Sequence, residues 1–134
     1  MAQSIMLDKS KDFAVEIVNL CKKIKENYKE SVMTNQLMRS GTSIGANIHE
    51  SKYAHGTADF ISKMQIALKE CNETEYWLEI LNRTGYVDDD EYKTVRNNCG
   101  AIRRMLISSI NTVKNKQPHR EICVFFFVCQ IRRI

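Results

Sequence analysis

The 134-residue chain contains one proline and five glycines. So few breakers leave room for only a handful of turns, which favours long elements and an all-α fold. Five cysteines stand at 21, 71, 99, 123 and 129, an odd number with no C-x-x-C pair. That excludes zinc-finger spacing and a complete disulfide framework. Cys71 and Cys99 fall on apolar stripes and read as small core residues of a reducing cytoplasm, the expected location. No run approaches the roughly 20 apolar residues that cross a bilayer. Residues 1–10 carry no apolar core of signal-peptide length, so no membrane partner is expected.

Catalytic patterns are missing too. There is no Glu-x-x-His pair for a di-iron bundle, no G-x-S-x-G elbow, no P-loop and no G-x-G-x-x-G. No arginine has a histidine four to six residues later, which excludes helical ribonucleases built on that pair. His49, His55 and His119 are scattered. The expectation is a protein that is not an enzyme and needs no cofactor and no metal.

What is present is helical periodicity. The stretch Gln36 to Glu50 places Leu37, Gly41, Ile44 and Ile48 at steps of four, three and four, one stripe of a helix. Ser40, Ser43, Gly45 and Ala46 surround that stripe. Each glycine lowers helix propensity by roughly 1 kcal/mol relative to alanine, so the missing side chains must allow close approach by a neighbour. This stretch reads as the central, most crowded helix of a bundle.

The remaining stripes complete the architecture. Helix 1, about 9–28, carries Phe13, Ile17, Leu20, Ile24 and Tyr28. Helix 2, about 34–54, follows Ser31 or Thr34 as N-cap and stops towards Gly56. Helix 3, about 58–84, starts from Thr57 and runs along Phe60, Met64, Ala67, Cys71, Thr74, Leu78 and Leu81. Gly85 ends it. Helix 4, about 89–116, starts from the acidic cap at residues 88–91 and runs along Tyr92, Val95, Cys99, Ile102, Leu106, Ser109 and Val113. Alternating steps of three and four with short connections predict an up-down, antiparallel, left-handed four-helix bundle over residues 1–117. Residues 118–134 form an apolar tail, extended or disordered, with eight apolar residues in a row from Ile122 to Cys129.

Two surface features carry the functional expectation. The net charge is +4 and the pI near 8.8. Lys93, Arg96, Arg103 and Arg104 form a basic flank on helix 4 around Gly100, and Lys22, Lys25 and Lys29 lie on one face of helix 1. These are the candidate nucleic-acid contacts; a plain solvated face is the rival reading. Tyr76, Trp77 and Ile80 lie off the helix 3 seam and are the candidate oligomer interface. Gln36, Asn47 and Glu75 are polar groups that would need partners if buried.

The pattern Gln36-Leu37-x-Arg39-Ser40-x-x-Ser43-Ile44-x-Ala46-Asn47-Ile48-x-Glu50 resembles the signature of the bacterial four-helix bundle proteins encoded in ribosomal-RNA intervening sequences. Asp59-Phe60, Ile66-Ala67-Leu68, Glu73 to Leu78 with Glu75, and Gly85-Tyr86 extend the resemblance, which covers about Asp12 to Lys116. The chain departs from the pattern at Met38, usually basic, at Gly45, usually Pro, at Ser51, usually Gly, and at Lys69-Glu70, usually a small pair. The resemblance implies an up-down bundle assembled as a ring, commonly a pentamer. It is similar to the accessory protein of diversity-generating retroelements, which binds nucleic acid and partners a reverse transcriptase. The expected function is therefore a homo-oligomer that binds nucleic acid, structured RNA first, through phosphate contacts. The alternative is an oligomeric scaffold for a protein partner such as a reverse transcriptase. Gln36, Arg39, Ser40, Ser43, Asn47, Glu50, Phe60 and Glu75 are family-signature positions with an expected structural role.

Overall fold

The computed structural model describes residues 2–116. Four helices follow one another: α1 (Ala2–Tyr28), α2 (Val32–Ser51), α3 (Thr57–Arg83) and α4 (Asp89–Asn115). Turns of a few residues fold each helix back along the one before, giving an all-α, up-down four-helix bundle. Helix α1 packs on α2, α2 on α3, α3 on α4, and α4 closes on α1. Among the described residues, no close approach of backbones crosses a diagonal. The α2–α3 seam is the most extensive and the α1–α4 seam the least.

Each turn has a local cause. At the end of α3, Gly85 takes φ +88°. Its N–H donates to the Asn82 carbonyl and the N–H of Tyr86 to that of Leu81, while Tyr86 packs back on the core. This is the Schellman arrangement, and it needs a residue that tolerates the left-handed region. Helix α4 begins where Asp88 accepts the Glu91 N–H at 2.8 Å. Helix α2 starts differently from expectation. Neither Ser31 nor Thr34 caps it with its side chain. Instead the Glu30 carboxylate accepts the N–H groups of Met33 and Thr34 at 2.8 and 3.0 Å. Thr34 is buried inside the first turn, its hydroxyl donating to the Glu30 carbonyl. Burial alone would raise the Glu30 pKa, but these hydrogen bonds outweigh it and hold the carboxyl below its usual range.

The core gathers the expected stripes. Phe13, Ile17 and Ile24 of α1, Leu37, Ile44 and Ile48 of α2, Met64, Leu78 and Leu81 of α3, and Ile102 and Leu106 of α4 are all buried. The structure departs from expectation in four places. Helix α1 begins at Ala2, about two turns before the expected start, and buries Met6, Leu7 and Ser10. Tyr28 ends the α1 stripe outside the core, its ring edge-on to Tyr86. On α4, Ile110 takes the buried position while Ser109 and Val113 are only half-buried. Helix α2 ends at Ser51, so Gly56 does not stop it; with φ +152° it is the residue before α3. The apolar tail of 118–134 lies outside the described residues.

The close approach expected at the glycines occurs on the α1 side. A Cβ at Gly41 would sit 2.8 Å from Ile17 Cγ2, and one at Gly45 would sit 3.1 Å from the Ser10 hydroxyl. Around this seam the buried polar groups are small hydroxyls rather than the larger groups suspected from sequence. Ser10 donates to the Leu7 carbonyl, Ser40 to that of Leu37 and Ser51 to that of Ile48. Each can satisfy its hydroxyl on its own helix, so it is buried without an orphaned donor. Gln36 is exposed, and Asn47 and Glu75 are half-buried.

Candidate nucleic-acid interface

The basic residues singled out above separate into two groups. Lys93, Arg96, Arg103 and Arg104 lie together on α4, on the flank that meets α3. Lys93, Arg96 and Arg103 recur at three- and seven-residue spacing, with Arg104 one residue further on, which keeps them on one side of the helix. Arg96 stacks over the Tyr92 ring, its guanidinium 5.1 Å from the ring centroid. Arg103 donates to the Glu75 carboxylate at 2.6 Å across the α3–α4 seam. Gly100 lies between these side chains: a Cβ there would meet Arg104 Nη1 at 3.4 Å and Arg103 Nη2 at 3.7 Å. Two guanidinium groups therefore converge over one bare turn of helix. Among the described residues, Lys93, Arg96 and Arg104 make no ion pair with a carboxylate, and all three are exposed.

Lys22 and Lys25 belong to the α1–α2 side. Lys22 is exposed, and the Lys25 ammonium donates to the Asn35 side chain on α2. Lys29 lies just past the end of α1 with φ +54°. Its N–H donates to the Lys25 carbonyl, so its backbone serves as a left-handed helix cap. Because one group flanks the α1–α2 seam and the other the α3–α4 seam, the two lie on opposite seams of one bundle. No single phosphate can meet both.

Of the signature positions on α2, Arg39 and Glu50 tie it to α3. Arg39 reaches two carboxylates of α3, Glu70 at 3.4 Å and Glu73. The hydrogen bond from Arg39 holds the Glu73 carboxyl below its usual range. Glu50 pairs with Lys63 at 3.1 Å. Ser43 and Asn47 bond back to the Arg39 and Ser43 carbonyls of their own helix. Phe60 packs against the core. Glu70, one of the departures from the family pattern, thus gives Arg39 a second partner. Glu75 has the same kind of role towards Arg103, a pairing across 28 residues that periodicity does not reveal.

The candidate interface residues lie on the outer side of α3. Tyr76 is 54% exposed. Its ring stands edge-on to Trp77, which is half-buried against the core and donates its indole N–H to Glu73 at 3.4 Å. Ile80 is half-buried and Ile66 exposed. The cysteines of the helices are buried thiols. Burial pushes Cys21 up to about 11. Cys99 is pushed well above its ordinary value by hydrogen bonding with Cys71 and by burial. Among the described residues, no group of three or more His, Cys, Asp or Glu side chains is placed to hold a metal ion, and no helix is long and apolar enough to cross a membrane.

Comparison with known families follows the same outline as the fold. Residues 2–108 match the family described as 23S rRNA-intervening sequence protein. The chain belongs to that family. The match reaches back to the first turn of α1, beyond the Asp12 limit of the sequence resemblance. A crystal structure of a protein of unknown function from the S23 ribosomal protein family of Bacteroides thetaiotaomicron is similar to this chain. The two share 52% identity with a TM-score of 0.82, over 83% of this chain and 99% of that one. No curated protein matches the chain significantly. Within this intervening-sequence family bundle, Arg39 and Glu50 each form ion pairs that link α2 to α3.

Proposed function

We propose that the protein is a non-enzymatic homo-oligomer that binds nucleic acid, structured RNA first, through phosphate contacts made by the α4 flank. The observation that carries this reading is the convergence of Arg103 and Arg104 over Gly100, with Arg96 and Lys93 beside them. A guanidinium pair offers forked donors that match phosphate oxygens. A half-buried Glu75 orients one of the pair and leaves the other free. An assembly of several copies would multiply a modest charge of +4 per chain and raise affinity by valence. The aromatic beside these bases, Tyr92, is half-buried against the core and lies under the Arg96 guanidinium, so contact with backbone rather than base stacking is the fitting mode.

The test is retention of a structured RNA by fluorescence anisotropy. Arg103 tethers Glu75, so reversing it would set two carboxylates against each other and disturb the fold. Arg96→Glu with Arg104→Glu avoids that. This variant should keep its helical circular dichroism and lose RNA affinity by tenfold or more at about 50 mM salt, and wild-type affinity should fall steeply towards about 200 mM. Retention equal to wild type in both variant and salt series rejects the surface. The exposed Tyr76 beside Trp77 favours a second reading, a scaffold whose partner is a protein such as a reverse transcriptase; its affinity would change little over the same salt range.

A further inference from the structure

The α1–α4 seam differs from the others in being open. Between the two helices runs a groove of about 810 Å³. Its apolar part is Val15, Leu20 and Val95, and Val15 is 60% exposed. Its rim is acidic on both sides, with Asp12 and Glu16 from α1 and Asp90 from α4. A second cleft of about 400 Å³ continues it past Tyr28 and Tyr86, sharing Leu20, Lys23, Asp88 and Glu91. The cation inside the groove, Lys23, is already tied to Glu91 at 3.0 Å. Asp12 and Asp90 make no ion pair among the described residues. Negative charge therefore collects here in a chain whose net charge is positive. The sign is wrong for nucleic acid, and the floor is wrong for a purely solvated edge.

The same chain carries the complement. On the outer side of α3, Lys69, Tyr76 and Arg83 recur every seven residues, which sets them in one row with about 10 Å between neighbours. Tyr76 and Ile80 form an apolar centre, and a base stands two turns away on each side. Lys69 is exposed, and the Arg83 side chain, 72% exposed, pairs at 3.9 Å with Glu79 of its own helix. We propose that the α1–α4 groove receives this α3 face from a second copy of the chain, Tyr76 and Ile80 over Val15, Leu20 and Val95, with Lys69 and Arg83 towards the acidic rims. The proposal rests on the homo-oligomeric part of the function above and names the two surfaces that make the contact. Helices α1 and α3 stand on a diagonal of the bundle, so groove and knob are different patches of one subunit. The contact is head-to-tail, and every copy both gives and receives. It leaves Arg96 and Arg104 of α4 outside the contact.

Light scattering coupled to size exclusion, on the full chain at micromolar concentration, tests the assignment. Asp12→Lys with Asp90→Lys, and separately Lys69→Glu with Arg83→Glu, should each lower the molar mass towards the 15.6 kDa of one chain and weaken self-association at least tenfold. Joining the two sets in one chain should restore mass, because opposite charges then face each other again. Circular dichroism of each variant confirms that the helices persist, and Tyr76→Ala, which changes no charge, should also dissociate the assembly. Reversals that leave the mass at the wild-type value, or a combined variant that stays dissociated, overturn this interface while leaving RNA binding by α4 standing. A wild-type chain that is already monomeric overturns the interface and the homo-oligomeric reading together. The Arg96→Glu, Arg104→Glu variant should lose RNA but keep its mass; loss of mass there overturns the placement of those arginines outside the contact.

Discussion

Helix α1 meets one neighbour tightly and the other loosely, and the two seams differ in side-chain size and in charge. Towards α2 it presents Ser10 and Ile17 to Gly45 and Gly41, so that no Cβ separates the helices at those points. Towards α4 the direct links are Lys23 with Glu91 and Glu16 with Asn98, both at the exposed rim. Small residues bring backbones together and bury what lies between them. Long charged side chains hold the helices apart and leave a groove. The first seam is built for stability, whereas the second leaves surface unburied.

That contrast can be broken most forcefully at Gly41. Gly41→Ala would place a methyl group 2.8 Å from a branched, fully buried isoleucine. Overpacking of this kind costs about 1–3 kcal/mol, and the helix-propensity gain of about 1 kcal/mol offsets only part. The urea midpoint should fall by an amount equal to about 1–2 kcal/mol. Adding Ile17→Val should recover part of that loss, a coupling expected of residues in contact. A neutral Gly41→Ala would mean the helices can separate at no cost, and the comparison would fail.

The turn that leads into the tight seam comes next. Removing the Glu30 carboxylate by Glu30→Ala should cost about 1 kcal/mol, the usual value of a helix cap. Glu30 has a lowered folded-state pKa, so its contribution is present above its unfolded value and is lost as pH falls through the folded one. Its ordinary pKa is 4.5. Wild-type stability should therefore decline below about that pH, and Glu30→Ala should show a shallower decline. Equal acid slopes in the two proteins would remove Glu30 from the account. In the same turn, Lys29 holds a left-handed conformation that glycine adopts freely. Lys29→Gly should stabilise by about 0.5–1 kcal/mol, read as a higher melting temperature.

The smallest effect belongs to the open seam. Glu91→Ala breaks an ion pair whose lysine is 58% exposed. Exposed pairs contribute little to stability, and screening by salt reduces that further. The unfolding midpoint in moderate salt should barely move. A loss as large as that at Gly41 would show the α1–α4 seam to be as tightly coupled as the α1–α2 seam.

The core was written in the sequence wherever large apolar residues kept three- and four-residue steps. Phe13, Ile17, Leu20 and Ile24 led directly to the buried face of α1. The first turns of that helix escaped notice because Ser10 interrupts the stripe. Once Ser10 is read as a filler between Met6 and Phe13, as Gly41 is between Leu37 and Ile44, the steps run four, three, four from Met6 onward. Glu30 escaped because it stands before the conventional capping position and reaches forward with a longer side chain. The candidate interface was legible only as a set of basic residues. Periodicity placed Lys93, Arg96, Arg103 and Arg104 on one flank. It could not separate that flank from Lys22 and Lys25, nor join Arg103 to Glu75, because both facts depend on which helices are neighbours.

By itself, then, the sequence determined four helices, their buried stripes and a signature shared with the intervening-sequence family, since helical period and scarce breakers are local properties. The tertiary structure alone decided which helix the glycines admit, which carboxylate each arginine meets, and where the bundle stays open. Those outcomes depend on distances between segments far apart in the chain, and such distances follow from how four differently shaped surfaces pack around one core.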